Sequence, residues 1–386
     1  LHKSIIILLI LSLCHFKIIS QVSGIYNTEE YIPILKNKNV AIIVNQASLI
    51  YDKHLVDTLV NRGVNIKLIL SPEHGFFGLH NAGEYVENDL YNGIIPIVSL
   101  YGENKKLRNE SLKDIDIVLF DLQDVGVRFY TYISTLHYVM QGCARQDIPL
   151  IVLDRLNPHM HYVDGPVLEI EYASFVGMHP VPVVYGMSIG EYALMINGQG
   201  WLGDDLICNL HIIKNNIASR NERIDISIPS PSPNLRNMNA IFLYPSLCFF
   251  EGTVVSAGRG TDYPFEIYGA PFFMTDFSFV PHVNFGSKNP KFKDEICYGF
   301  DLRKAMSMPM VNDKEYIQIS YLIAAYKNSP LEYKDSFFNS FFNKLAGNAT
   351  LKESILENMS EQQIRLSWQK DIDEFIIMRK KYLLYD

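Results

Sequence analysis

The amino-acid sequence predicts an α/β fold in which a mainly parallel sheet is followed by a smaller α+β domain. Short, continuous apolar runs alternate with helical patterns in the N-terminal half, as expected for a sheet that helices cover on both faces. A proline-rich stretch at residues 229–233 then favours an extended linker. Beyond the linker, aromatic and glycine-rich segments followed by amphipathic helices indicate a second domain.

The N-terminal half contains six predicted strands and three predicted helices. Each strand is a short apolar run bounded by polar or turn-forming residues. The strands cover residues 40–45, 66–70, 94–98, 115–121, 149–154 and 181–185, and the helices cover residues 51–62, 130–146 and 189–198. In the C-terminal half, helices are predicted over residues 315–327, 331–345 and 361–381.

The composition indicates a globular protein without a nucleic-acid partner. The chain has 386 residues, of which 48% are hydrophobic and 20% are charged. Its formal net charge of -8 disfavours the basic surface that phosphate binding requires. Two domains are predicted, over residues 24–228 and 229–386, after a signal peptide at residues 1–23.

The predicted signal peptide combines a basic start with an apolar run that is too short for a stable membrane span. It predicts a secreted or periplasmic protein. A lipid anchor is the weaker alternative, because Leu13, and not a small residue, precedes Cys14. The other four cysteines are widely spaced and form no CxxC motif, which favours buried thiols over a disulfide framework or a metal site.

Glu73 and His74 follow the second predicted strand on a turn that contains proline and glycine. In open α/β sheets, ligands bind at this end of the strands. We expect Phe76 and Phe77 to lower the polarity around Glu73 and to raise its pKa, as a general acid requires. The structural alternative is a polar turn with a solvated glutamate.

The fourth and fifth predicted strands also end in polar clusters. Carboxyl ends of parallel strands meet at one edge of a sheet, so three such clusters indicate a binding site there. For the carboxylate and guanidinium within residues 121–128, the alternative is a structural salt bridge that caps the next helix. The clusters are Asp121, Gln123, Asp124, Arg128 and Tyr130 after the fourth strand, and Asp154, Arg155 and Asn157 after the fifth.

Residues 186–190 have the G-x-S-x-G spacing of a nucleophile elbow. Ser188 and Glu191 also match a capping box, which we favour because no convincing Asp and His follow in the required order. No G-x-G-x-x-G follows the first strand, and no HExxH occurs in the chain. The sequence therefore predicts neither a nucleotide nor a metal cofactor.

A glycine-rich loop surrounds Arg259 in the C-terminal half. Gly258 and Gly260 predict a tight loop with exposed backbone N–H groups beside a fixed positive charge. Such a loop suits an anionic or heavily hydroxylated ligand. The structural alternative is a turn whose arginine serves a buried ion pair.

Nine motifs in a fixed order resemble the NamZ-type exo-β-N-acetylmuramidases of bacterial peptidoglycan recycling. The most distinctive is Ser-Pro-Glu-His-Gly-Phe-Phe-Gly at residues 71–78. Leu156 and Ser188 stand where the family usually has proline and threonine. The other motifs lie at residues 121–132, 153–158, 164–167, 186–191, 231–234, 250–253, 258–262 and 380–385, so the resemblance covers essentially the whole mature chain.

The resemblance implies a Rossmann-like N-terminal domain, a smaller C-terminal domain and an active site in the cleft between them. It also implies release of N-acetylmuramic acid from non-reducing ends of peptidoglycan fragments, without a cofactor. Two alternatives stay open at this point. One is a non-catalytic periplasmic protein that binds sugars or muropeptides, and the other is a hydrolase of a different bond.

In this interpretation Glu73 is the general acid, and His74, Asp121 and Asp124 are candidates for its partner. N-acetylmuramic acid differs from N-acetylglucosamine by a lactyl ether with a carboxylate, which an arginine can meet with two hydrogen bonds. Arg128 and Arg259 are the candidates for that contact. The other predicted substrate contacts are Tyr130, Tyr132, Asn157, Asn234, Thr261 and Asp262.

Overall fold

Seven strands form one mostly parallel sheet at the centre of the N-terminal half. The computed structural model describes residues 23–80, 84, 89–217, 219–220, 230–304 and 317–386. In chain order its strands are β1 (Asn39–Ile43), β2 (Leu49–Ile50), β3 (Lys53–His54), β4 (Asn65–Ser71), β5 (Asp89–Tyr91), β6 (Ile95–Ser99), β7 (Ile117–Phe120), β8 (Leu150–Leu153), β9 (Leu210–Ile213), β10 (Ile267–Ala270), β11 (Phe277–Phe279) and β12 (Cys297–Asp301).

The order across this sheet is β5-β6-β4-β1-β7-β8-β9, and only β5 runs antiparallel to its neighbour. At the centre, Ile43 of β1 is in register with Leu70 of β4 and with Phe120 of β7. The turns that follow β4 and β7 therefore lie at the same edge, called here the carboxyl edge. Glu73 lies in the turn after β4, and Asp121 lies in the turn after β7.

Helices cover both faces of the sheet. They are α1 (Thr28–Leu35), α2 (Leu55–Asn61), α3 (Tyr132–Arg145), α4 (Ile189–Gly198), α5 (Met238–Leu247), α6 (Ile319–Asn328), α7 (Leu331–Lys334), α8 (Phe342–Ala346), α9 (Thr350–Leu356) and α10 (Glu361–Arg379). Ala41 and Ile43 pack with residues of α3 and α4, whereas Val40 and Ile42 pack with residues of α1 and α2. Alternate side chains of one strand thus enter two cores, which explains the continuous apolar runs. The α/β fold class is confirmed.

Two predictions about the N-terminal elements are wrong, and one parallel strand of the sheet was not predicted. Residues 181–185 form no strand, and Val184 makes only isolated bridges to Val127 and Asp164. The last parallel strand is instead β9. Its exposed His211 interrupts the apolar run from which a buried strand is predicted. The helix predicted from residue 51 begins at Leu55, because Lys53 and His54 pair with β2.

The C-terminal half contains a three-stranded antiparallel sheet, β10-β12-β11, beside helices α5 to α10. The single helix predicted over 331–345 is two short helices, α7 and α8, separated by residues 335–341. The helix predicted over 315–327 appears as Ile319–Asn328, although its first residues lie outside the described part. The predicted domain boundary at 228/229 and the predicted signal peptide, apart from Ser23, also lie outside it.

One apolar core joins the two halves. Phe129, just after the carboxyl edge, packs edge-on against Tyr244 and Phe249, with ring centroids 5.3 and 5.8 Å apart. Residues of α3, α5 and α8 belong to the same buried cluster. The described cysteines are free and buried, as predicted. No helix within the described ranges is long and apolar enough to cross a membrane.

A C-terminal strap, residues 384–385, fastens the end of the chain to the N-terminal half. The Tyr385 hydroxyl donates to Asp154 Oδ2 at 2.5 Å, and the Leu384 backbone N–H donates to Glu191 Oε1 at 2.7 Å. Arg220 Nη2 donates to the Tyr385 carbonyl oxygen at 2.6 Å. The strap adds donors to buried carboxylates of the first half that also accept hydrogen bonds from other residues.

Candidate active site

A cavity of about 510 Å³ opens at the carboxyl edge, between the sheet and the C-terminal half. Its volume is within the range of small-molecule sites in proteins. Several of its walls are aromatic rings, which suit stacking against sugars. Its charged and polar lining residues are Glu73, His74, Lys105, Thr131, Ser174, Ser232, Asn234, Glu251, Arg259 and Lys344, and its aromatic ones are Tyr101, Phe129, Tyr130, Tyr132, Phe175, Tyr244, Phe265 and Phe341.

Glu73 reaches this cavity from the turn that ends β4. Pro72 begins the turn, and the Gly75 N–H donates to the Pro72 carbonyl oxygen at 3.0 Å. Only 9% of Glu73 is exposed. Thr131 Oγ1 donates to Glu73 Oε2 at 2.8 Å, which fixes the carboxyl group at the base of α3. The predicted placement of Glu73 in a binding site is therefore supported by the geometry.

His74 occupies the left-handed region, with φ of 73°, which is uncommon for a residue other than glycine. Its Nδ1–H donates to the His80 carbonyl oxygen at 2.8 Å, so Nε2 is left to accept from the Ser232 hydroxyl at 3.2 Å. Burial lowers the pKa of His74, although the Glu73 carboxylate opposes that shift. The neutral ring joins the turn that contains Glu73 to the linker between the two halves.

Tyr130 and Tyr132 fix the same linker. Both hydroxyls donate to the Pro231 carbonyl oxygen, at 3.1 and 3.0 Å. Asn234 follows the linker, lines the cavity and donates through Nδ2 to the Gly286 carbonyl oxygen at 2.9 Å. The structure therefore brings Tyr130, Tyr132 and Asn234 together with Glu73, as the sequence predicts.

Glu251 and Arg259 form an ion pair on the cavity wall, with Arg259 Nε 3.2 Å from Glu251 Oε1. The two side chains are 25% and 24% exposed, so both border solvent as well as the cavity. The guanidinium lies 5.4 Å from the Phe265 ring centroid. Arg259 was predicted at the site, but Glu251 was not. Its signal in the sequence is its position as the acidic residue of the motif at residues 250–253.

Asp121 and Asp124 do not line this cavity. Asp121 accepts two hydrogen bonds from Arg155, from Nε at 2.6 Å and from Nη2 at 2.8 Å, and it is fully buried. Asp124 Oδ2 accepts hydrogen bonds from the Gly126 N–H and the Tyr185 hydroxyl. Burial raises the pKa of Asp124 to about 6. Both carboxyls are held within the protein and stabilise the carboxyl edge.

Arg128 is also held inside the protein. Its Nη1 donates to the carbonyl oxygens of Pro166 and Val181, and its Nη2 donates to those of Leu345 and Ala346, all within 2.6–2.9 Å. Its side chain is fully buried, and burial lowers its pKa to about 9. A guanidinium with these partners fixes the main chain of both halves and does not reach the cavity.

Three other predicted contacts lie elsewhere. Asn157 is buried, where its Oδ1 accepts from the His159 N–H at 2.7 Å and its Nδ2 donates to the Met187 carbonyl oxygen. Thr261 and Asp262 line a separate cavity of about 500 Å³ in the C-terminal half. Arg259 borders the cavity that contains Glu73 and a neighbouring cavity of about 380 Å³, whereas the residues that follow it line the separate one.

Phe76 and Phe77 do not surround Glu73. They line another cavity, of about 260 Å³, with Gln46, His54 and Tyr91. The apolar surroundings of Glu73 come instead from the aromatic walls listed above, most of which are distant in sequence. The expectation about these two phenylalanines is wrong because the left-handed turn at residues 74–75 redirects the chain.

Ser188 is a helix cap. Its Oγ accepts from the Glu191 N–H at 3.2 Å, and Glu191 Oε2 accepts from the Ser188 N–H at 2.9 Å. Ser188 Oγ also donates to the buried Asp154 at 2.8 Å. The capping box is confirmed, and the apparent nucleophile elbow is structural. Across the described ranges, no three His, Cys, Asp or Glu side chains form a metal-binding group.

Two family models match the chain almost end to end. The N-terminal model of "Exo-beta-N-acetylmuramidase NamZ" matches residues 40–239, and the C-terminal model matches residues 242–385. The chain belongs to the NamZ family. The cavity that holds Glu73 is lined by residues from both matched regions, so it is the candidate active site of a NamZ family protein.

Relatives support this membership in sequence and in structure. The "Peptidoglycan beta-N-acetylmuramidase NamZ" of Bacillus subtilis (strain 168) is 36% identical over 378 residues, which cover 92% of this chain and 89% of that protein. Two crystal structures of DUF1343 family proteins from Bacteroides fragilis NCTC 9343 have TM-scores of 0.84 and 0.80, at 41% and 26% identity. Each comparison covers 95% of this chain and 99% of the other.

Proposed function

We propose that this protein is an exo-acting glycosidase that releases N-acetylmuramic acid from non-reducing ends of peptidoglycan fragments. The supporting observation is that a NamZ family chain places a buried glutamate, Glu73, in an aromatic cavity of sugar-binding size. A binding protein without turnover, or a hydrolase of another bond, is less favoured because both the family and its Bacillus relative are named for β-N-acetylmuramidase activity.

Glu73 acts as the general acid. Glycosidases protonate the leaving oxygen while positive charge develops at the anomeric carbon. Since Thr131 donates to Glu73 Oε2, the carboxyl group is oriented before the substrate arrives, which is what efficient proton transfer requires. His74 holds the turn through its neutral ring and acts as a positioning residue.

Glu251 is the second carboxylate of the reaction. It is the other carboxylate among the described cavity residues, whereas Asp121 and Asp124 are enclosed by their own partners. A second carboxylate in the cavity wall stabilises the positive charge of the oxocarbenium-like transition state. Arg259 positions the Glu251 side chain in the cavity wall through their 3.2 Å contact.

We further propose that the protein is exported through the basic and apolar segment at residues 1–23, and that it works on glycan fragments outside the cytoplasm. The observation in support is the order of a short basic start and an apolar run in the sequence. Separation of cells into cytoplasmic and exported fractions, with determination of the N-terminal residue of the chain in each, tests this location.

The activity is tested with two chromogenic substrates, a β-N-acetylmuramide and the matching β-N-acetylglucosaminide. We expect turnover of the muramide, and we expect Glu73→Gln to lower kcat by at least about a hundredfold, the usual contribution of a positioned acid. Thermal melts and equilibrium binding of N-acetylmuramic acid report whether fold and site persist. The matched control is Glu103→Gln, an exposed glutamate outside the cavity.

Two results would contradict the proposal. Binding of the sugar without any product, in the wild type as well as in the variant, indicates the binding-protein alternative. Near-normal turnover of the Glu73→Gln variant places the general acid at another residue.

A further inference from the structure

We propose that two lysines of the cavity, Lys105 and Lys344, select the lactyl carboxylate of the substrate, an inference that rests on the proposed function. A β-N-acetylglucosaminide lacks that carboxylate, so discrimination requires a cation that faces the bound sugar. The protein has a formal net charge of -8, and the attraction must therefore be local.

The two arginines that the sequence indicates for this contact already have partners. Arg128 donates four hydrogen bonds to backbone carbonyl oxygens and is fully buried away from the cavity. Arg259 is paired with Glu251 at 3.2 Å, so its charge is balanced within the cavity wall. A substrate carboxylate gains more from a cation whose charge no protein carboxylate balances.

Lys105 is such a cation. It follows the short 3-10 helix Gly102–Asn104, and its Nζ lies 4.6 Å from the Phe175 ring centroid and 5.8 Å from that of Tyr101. Both rings line the cavity with it. Among the residues that the structure describes, Lys105 has no carboxylate partner. The aromatic faces hold the ammonium group near the place where a sugar would stack.

Lys344 approaches from the C-terminal half, on helix α8. It lines the cavity, is exposed at its mouth, and makes neither an ion pair nor a side-chain hydrogen bond with the described residues. The backbone after it is fixed, because Leu345 and Ala346 accept hydrogen bonds from Arg128. Gly347 has φ of 82°, and a Cβ there would lie 2.5 Å from Arg128 Nη2. Arg128 thus positions the segment that presents Lys344.

The charges of the cavity favour an anionic substrate. Its cationic residues are Lys105, Arg259 and Lys344, and its carboxylates are Glu73 and Glu251 among the described lining residues. Glu251 is balanced by Arg259, which leaves the two lysines against a single carboxylate, that of Glu73. The two ammonium groups outnumber this carboxylate, and because one comes from each half of the chain, a carboxylate bound by both would link the two halves.

The test compares two substrates that differ at the lactyl group, one charged and one uncharged. One is a chromogenic β-N-acetylmuramide, and the other is the same compound with its lactyl carboxylate converted to an uncharged methylamide. We expect Lys105→Gln and Lys344→Gln each to lower kcat/KM on the carboxylate substrate, mainly through KM, and the double variant to lower it by about tenfold to a hundredfold. Turnover of the methylamide should stay within about twofold of the wild-type value.

Lys106→Gln is the matched control. Lys106 is the next residue in the chain, is exposed, and has its Nζ 5.9 Å from the Tyr138 ring centroid, but it does not line the cavity. It should keep the wild-type ratio between the two substrates. Thermal melts of all variants separate loss of recognition from loss of fold.

The outcomes distinguish this inference from the proposed function. If the wild type hydrolyses the muramide and the double variant keeps its preference for the carboxylate, the lysines are not the selecting groups. Arg259 or backbone N–H groups would then bind the lactyl carboxylate. If the wild type hydrolyses neither muramide, the proposed function itself fails, and the lysine assignment fails with it.

Discussion

Two carboxylate–arginine pairs lie near the carboxyl edge, and they differ in burial. In the first, Asp121 accepts two hydrogen bonds from Arg155, and the side chains are 0% and 8% exposed. In the second, Glu251 and Arg259 meet at a single 3.2 Å contact, and both side chains are about a quarter exposed on the cavity wall. The buried pair follows two apolar strands that the sequence predicts. The other pair lies outside that pattern, yet it is the one that a substrate can reach.

The position of a charged residue at a strand end therefore does not decide whether it stabilises the fold or binds a ligand. A bidentate pair that is closed from solvent uses its hydrogen-bonding capacity internally, so it stabilises the strand ends. A pair at a cavity wall keeps polar atoms available for a ligand, and its net contribution to stability is small. Stability and activity should therefore respond differently when each pair is broken.

Breaking the buried pair should have the largest effect. Asp121→Ala leaves the Arg155 guanidinium buried without its carboxylate, so we expect the free energy of unfolding to fall by about 3–5 kcal/mol. Urea denaturation measures this change, and Asp52→Ala, at an exposed position, is the control. Turnover per folded molecule should remain near the wild-type value. A stable variant that has lost turnover would instead return Asp121 to the catalytic role that the sequence suggests.

Breaking the cavity pair should affect the reaction and not the fold. We expect Glu251→Gln to lower kcat on the muramide by about a hundredfold, because it removes the charge that faces the transition state. The melting temperature should change little, since a partly exposed pair contributes about 1 kcal/mol or less. Glu357→Gln, another exposed glutamate, controls for the change in net charge. Unchanged turnover would show that the second catalytic group lies elsewhere.

We expect a smaller effect on stability from two buried histidines, whose protonation makes the free energy of unfolding depend on pH. His137 Nδ1 lies 2.9 Å from His179 Nε2, and His179 Nδ1 lies 3.0 Å from the Tyr192 hydroxyl. Burial lowers the pKa of His137 to about 4 and also lowers that of His179. The unfolded chain therefore takes up protons that the folded protein does not, as pH falls below about 6.5.

The stability that these neutral rings provide is full above about pH 6.5 and is lost as pH falls towards about 4. We expect the wild type to be more stable than His137→Gln near neutral pH, and this advantage to shrink on acidification. Unfolding free energies of both proteins across that range measure it, with the exposed His211→Gln as control. A constant difference at every pH would mean that His137 has an ordinary pKa in the folded protein.

The sequence predicts the centre of the sheet better than its edges. β1, β4, β7 and β8 are buried on both faces, so their apolar runs are unambiguous. The edge strands β5 and β9 carry exposed or polar residues, and neither was predicted. Residues 181–185 form an apolar run that is buried without pairing as a strand, because burial alone also favours such residues.

The same limit applies to the site. Glu73, His74, Tyr130, Tyr132, Asn234 and Arg259 could be predicted, because each lies in a distinctive local motif. Lys105 and Lys344 could not, since neither residue type nor spacing distinguishes them from surface lysines. Only the packing of the two halves brings them to the cavity. Asp121 and Arg128 were assigned to the site because local sequence cannot show whether a side chain points towards a ligand or into the protein.

The C-terminal strap affects the order in which the protein can fold during synthesis. Tyr385 and Asp154 are separated by 231 positions, yet they share a buried hydrogen bond. On the ribosome, the sheet emerges long before residues 384–385 have been made, so Asp154 and Glu191 wait without the donors that the strap provides. A buried carboxylate that lacks some of its donors is less stable, and contacts between distant positions form slowly. The first half should therefore reach its final packing only after translation of the strap, and it depends on protection from aggregation until then.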